Sequence, residues 1–220
     1  MTSSRETVLN RIRAALKDVP PDEKPEDVAV ARDYLLVDES PERERLERFI
    51  ERVREYKAKV KIARPDALSA AIAESCAERN VRRLVVPADI PEGWAPPGVE
   101  LIREPGLTNE QLDRSDGVLT GSALGIAQTG TVVLDSGPGQ GRRAITLVPD
   151  YHLCVVFQDQ VVGLVPEAVA RLQSAAESPD RPITFISGPS ATSDIELNRV
   201  EGVHGPRTLE VIVVTDLDVE

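Results

Sequence analysis

Two histidines, a pair of adjacent arginines and three loops rich in Gly, Ser and Thr hold most of the reactive chemistry available to this 220-residue chain. The first loop reads Thr120-Gly-Ser-Ala-Leu-Gly-Ile-Ala-Gln-Thr-Gly-Thr131. Side chains this small leave backbone N–H groups open to an anion. They make Thr120, Gly121, Ser122, Thr129 and Gly130 candidate ligand contacts, with Ser122 placed to cap a single helical turn. The same residues equally suit a tight β–α–β crossover that needs small side chains for close packing. The second loop, Asp135-Ser-Gly-Pro-Gly-Gln-Gly-Arg-Arg143, is not a P-loop, because no Gly-Lys-Ser/Thr follows, and no GxGxxG opens a helix from it. It reads either as a flexible hairpin or as a loop that closes over an anion. Arg142 and Arg143 favour the second reading, since a guanidinium can grip a carboxylate or phosphate with two parallel hydrogen bonds.

The third segment runs Ser187-Gly-Pro-Ser-Ala-Thr-Ser-Asp-Ile-Glu196 and continues to Gly202-Val-His-Gly-Pro-Arg207. Ser187, Gly188 and Ser190 leave a strand as ligand candidates. Ser193 or Asp194 is placed to cap a short helix whose N-terminus attracts negative charge. His204 sits between small residues, and Asp194 and Glu196 are within reach in sequence to pair with it as acid and base. These three are the catalytic candidates, and His204 is also a ligand candidate. His152, beside an apolar strand, is a further ligand candidate. Each histidine has a bland alternative as a surface or packing residue. No GxSxG elbow supports a Ser–His–Asp triad.

Charge and cysteine usage narrow the classes of partner. With 26 Lys+Arg against 37 Asp+Glu the formal net charge is −11, and aromatics make up 3% of the chain. A nucleic-acid partner is disfavoured on both counts, having neither a basic footprint nor stacking platforms to meet. A small anionic ligand is expected instead: between Gly117 and Arg143 the only acid is Asp135, against two arginines. Cys76 and Cys154 fit no CxxC or Cys/His spacing, so no metal site is expected and both read as buried small hydrophobes. The N-terminus lacks the apolar core of a signal peptide, and a cytoplasmic location is expected. The uncharged window Gly117 to Leu134 is interrupted by Thr, Ser, Gln and Gly and is not expected to span a membrane.

The elements that must position these residues follow from periodicity. Val8, Ile12 and Leu16 share one face of a first helix capped by Ser4 and stopped by Pro20-Pro21; a Pro- and acid-rich linker follows. Ser40-Pro41 opens a second helix to about Lys57, with Leu46, Phe49, Ile50 and Val53 at helical spacing. From Lys59 the pattern changes to strands alternating with helices. Strands are expected at 60–63, 81–86, 99–103, 117–120, 131–135, 144–148, 153–157, 183–187 and 209–215, with helices at 66–78, near 109–113 and at 167–176. The expected fold is an α/β layered sheet, with residues 1–58 as a helical N-terminal extension packed as an appendage and 59–220 as the α/β domain.

Taken together, Gly121 to Asp135, Arg142-Arg143 with Leu147-Val-Pro-Asp-Tyr-His-Leu-Cys-Val-Val156, and the segment Ser187 to Arg207 resemble the lactate utilization domain (LUD) family. The resemblance runs from about Lys59 to the C-terminus. It implies a three-layer α/β/α fold of the NagB/RpiA/CoA-transferase type and a role in oxidising L-lactate to pyruvate. It also implies two iron–sulfur lactate-oxidation subunits as partners, which would carry the iron–sulfur clusters, with no cofactor on this chain. The chain would then be an accessory or anionic-ligand-binding subunit. The alternative is a stand-alone enzyme of the CoA-transferase or cyclo-ligase type, acting on a small anionic, CoA- or phosphate-bearing metabolite.

Overall fold

The run Thr208-Leu-Glu-Val-Ile-Val-Val214 carries Leu209, Val211 and Val213 on one face and Ile212 and Val214 beside Thr208 and Glu210 on the other, and apolar residues on both faces are the pattern of a strand covered on both sides in a parallel sheet. It forms such a strand. The computed structural model describes residues 3–20, 22–24, 30–31, 33–177, 181–193, 199–202 and 204–219. Its main sheet is built from β1 (Lys59–Ala63), β2 (Arg83–Val86), β3 (Glu100–Arg103), β4 (Gly117–Thr120), β7 (Tyr151–Phe157) and β12 (Thr208–Val214). The strand order is β1-β12-β7-β4-β2-β3 and every pairing is parallel. A second sheet, β8-β5-β6-β9, joins β5 (Leu124–Ile126), β6 (Thr131–Leu134), β8 (Val161–Val162) and β9 (Thr184–Ile186). A two-stranded antiparallel ribbon pairs β10 (Ala191–Ser193) with β11 (Arg199–Glu201).

Alternation along the central strands divides the core into layers. Leu209, Val211 and Val213 of β12, with Cys154 and Val156 of β7, pack against Leu46, Phe49, Ile50 and Val53 of helix α2 (Glu42–Glu55) and against Val132 and Leu134 of β6. Ile212 and Val214, with Leu153 and Val155, face the other way onto Leu68, Ile72 and Cys76 of α3 (Leu68–Glu78). The outer face of the second sheet is covered by Ala168 and Leu172 of α5 (Val165–Ala176). The short helix α4 (Asn109–Asp113) contributes Leu112 to a satellite cluster with Val85, Val118 and Ile145. The result is a mainly parallel sheet between helices, with the second sheet inserted on one side.

The chain forms two compact units, Met1–Tyr34 and Leu35–Glu220. The first contains α1 (Ser4–Ala15), none of whose residues is buried; Ser3 rather than Ser4 caps it, in a reciprocal pair with Glu6. Helix α2 belongs to the second unit, because its apolar stripe is part of the main core. Two expectations are corrected. Residues expected as a strand at 144–148 instead begin in a 3-10 turn, Arg143–Thr146, because the Thr146 hydroxyl donates to the Arg143 carbonyl and the Arg143 side chain donates back to the Thr146 carbonyl. The helical turn expected after Ser122 is a strand, β5, and the turn falls later at Ala127–Thr129, closed by Gly130 in the left-handed region.

Candidate functional site

The start of strand β7 places His152 on the face shared with Cys154, and the residue is 1% exposed. Its Nε2 lies 2.8 Å from the Thr120 hydroxyl at the end of β4. Burial, and then the nearby charge of Arg143, drive its pKa from 6.5 to about 3, so the ring is neutral at physiological pH. Behind it, burial raises the Cys154 thiol to about 12, and Sγ donates to the Gly121 carbonyl at 3.5 Å. Cys154 is therefore an inert thiol.

Arg143 opens the 3-10 turn and folds back on it. Its Nη1 donates to the Thr146 carbonyl (2.9 Å) and hydroxyl (3.0 Å). No described hydrogen bond or ion pair uses the opposite edge, Nε and Nη2, and burial lowers this arginine's pKa. That edge is the fork that matches a carboxylate. The other half of the site comes from the end of β9. Ser187 hydrogen-bonds Thr131 through its hydroxyl at 2.8 Å, and Gly188 takes φ +83° against the Tyr56 carbonyl, where a Cβ would stand 2.6 Å from the oxygen. Ser190 ties this loop to the chain before β12: its N–H donates to the Pro206 carbonyl, and its hydroxyl accepts from the His204 N–H.

Arg143, His152, Ser187, Gly188, Ser190 and His204 line one cavity of about 200 Å³, with Thr146, the strand β9 and Leu209 completing its wall. Drug-sized ligands occupy pockets of roughly 300–1,000 Å³, so this volume suits a metabolite of a few heavy atoms rather than a nucleotide or CoA. The cavity takes its main-sheet residues from the amino ends of β7 and β12. Open sheets more often bind ligands at their carboxyl edge.

Other sequence candidates lie elsewhere. Thr120 stands behind His152. The Gly121 N–H donates to the Gly139 carbonyl at 2.7 Å, and Ser122 donates to the Val155 carbonyl at 3.1 Å. Gly125 and Gly130 are small because α2 lies on them: a Cβ on Gly130 would be 2.5 Å from the Arg52 carbonyl carbon, and one on Gly125 would be 2.9 Å from the Phe49 ring. Thr129 faces a separate surface hollow with Arg52 and Tyr56. Arg142 does not reach the cavity. Its Nε and Nη2 both donate to Glu104, and Nη2 also to the Leu107 carbonyl, in a different groove. Asp194 and Glu196 lie outside the described residues. Ser193, expected as a helix cap, is in strand β10. Sequence reasoning missed Thr146, whose signal was its i, i+3 spacing from Arg143, and missed β9 as a cavity wall. Among the described residues no group of three His, Cys, Asp or Glu is placed to hold a metal ion, and no helix is long and apolar enough to cross a membrane.

Fold and cavity together define a layered α/β protein with a small pocket around an arginine whose fork is open. The LUD domain family model matches residues 106–214, a span that includes every residue lining the cavity. A Deinococcus radiodurans protein named lactate utilization protein C is 49% identical over 170 residues, 77% of this chain and 79% of the relative. A Halalkalibacterium halodurans protein of the same name is 39% identical over 110 residues, 49% of this chain and 47% of the relative. The crystal structure of a DUF162 family protein from Deinococcus radiodurans superposes with a TM-score of 0.70 at 41% identity, covering 80% of this chain and 99% of that one. The chain belongs to the LUD domain family.

Proposed function

We propose that this chain serves lactate utilization as an anion-binding component, holding a small carboxylate in the cavity between Arg143, His152 and Ser190. The observation that carries this reading is the open Nε–Nη2 edge of Arg143, in a cavity sized for a few heavy atoms. An arginine in partly buried surroundings gains from a bound anion, because a charge-assisted fork is stronger there than in water. The names of the relatives support the pathway. Electron transfer falls to iron–sulfur partner proteins on this reading, since Cys76 and Cys154 are both buried and free. Co-purification with such proteins is the expected outcome. A CoA-bearing substrate would leave most of its bulk outside this cavity.

Calorimetric titration of L-lactate and of pyruvate into the protein tests the reading. Hydrogen bonds to charged groups contribute about 1.5–3 kcal/mol, so Arg143→Ala is expected to weaken binding about 10- to 100-fold. Arg142→Ala, whose guanidinium serves Glu104, is expected to leave it within about twofold. Absence of heat with either ligand in the wild-type protein would overturn the proposal.

A further inference from the structure

His152 has two ring nitrogens, and among the described residues one of them has a hydrogen-bond partner. Nε2 meets Thr120, while Nδ1 makes no described hydrogen bond. Yet no buried side-chain nitrogen or oxygen of a described residue lacks a partner. Nδ1 is therefore the atom through which this otherwise buried ring meets the cavity it lines.

What Nδ1 offers depends on which atom carries the proton between His152 and Thr120. The Nε2 to Oγ1 distance of 2.8 Å suits a hydrogen bond in either direction, so the donor is decided by where else the hydroxyl proton could go. The other acceptor within reach of the hydroxyl, Cys154 Sγ, is 3.8 Å away and weak. A hydroxyl pointed at Nε2 leaves the neutral ring with its proton on Nδ1. The fixed charge beside it, Arg143, favours a ligand that accepts hydrogen bonds.

We propose that the Thr120 hydroxyl donates to His152 Nε2 and so fixes the ring as the Nδ1–H tautomer. His152 then adds a neutral donor to the fork of Arg143, and the two together bind a carboxylate. Thr120 is a positioning residue that never touches the ligand. A neutral imidazole donates without gaining or losing a proton, so the cavity needs no titration to hold its anion. The assignment rests on the carboxylate reading above and specifies which atoms receive that group.

Long-range ¹H–¹⁵N correlation on histidine-labelled full-length protein reads the tautomer directly. The expected result is a protonated Nδ1 in the wild type, retained in Thr120→Ser and lost or mixed in Thr120→Val, which removes the hydroxyl at nearly constant volume. With L-lactate as the probe, the Val variant is expected to bind about tenfold more weakly and the Ser variant within about twofold, the loss of one hydrogen bond to a charged group. A wild-type ring protonated on Nε2 overturns the proposal, as does a Val variant that keeps the Nδ1–H ring. An Nδ1–H ring whose resonances neither L-lactate nor pyruvate moves supports the tautomer but overturns the carboxylate reading on which its role depends.

Discussion

Arg142 and Arg143 are neighbours in sequence with opposite duties. The first spends its fork on Glu104, a carboxylate only 5% exposed, and the second keeps its fork for the cavity. Sequence alone marks the pair as positive and cannot separate them, because the difference depends on a buried acid 38 residues away from Arg142. His152 is a second case in which burial decides the chemistry. An imidazole held neutral in the folded state, with a pKa lowered from 6.5 to about 3, takes up a proton on unfolding anywhere between those values. The unfolded state then binds more protons, so stability is lost as pH falls through that window. From pH 7.5 to pH 5 this one group is expected to contribute about 2 kcal/mol of destabilisation. Urea unfolding of wild type and His152→Asn at the two pH values checks it: the wild type should lose more stability than the variant, and equal losses would contradict the assignment.

Helix α2 is the element whose place was hardest to read. Its charged face, Glu42 to Arg52, marks a solvated surface, and its apolar stripe was legible as a helix packing on something. What it packs on was not, because its partners Gly125, Gly130 and Val132 lie some 70 to 90 residues later. The glycines of that segment carried two open readings, anion contact and close packing. The backbone of α2 lying over Gly125 and Gly130 supports packing for those two. A matched pair of substitutions separates backbone strain from this contact. Gly139 has φ +69° and nothing within 4 Å of a built Cβ, so Gly139→Ala should cost about 1 kcal/mol. Gly130→Ala meets the Arg52 and Val53 backbone as well and should cost about 1–3 kcal/mol more. Equal urea midpoints for the two variants would show that α2 does not press on Gly130. The strands of the main sheet were largely visible as apolar runs, whereas β8, β10 and β11, two or three residues each, offer too little periodicity to detect.

At the scale of the whole chain, the acidic excess and the cation of the cavity coexist because, among the described residues, carboxylates gather elsewhere: along the outer face of α2, around Lys59 and Lys61, and paired with arginines such as Arg181 and Arg207. What occupies the cavity is seen most directly in a crystal structure of the protein grown with L-lactate or pyruvate. The expected result is a carboxylate bridging Nε and Nη2 of Arg143 with one oxygen on Nδ1 of His152. A ligand bound instead in the groove beside Arg142 and Glu104, with the Arg143 cavity empty, would contradict it.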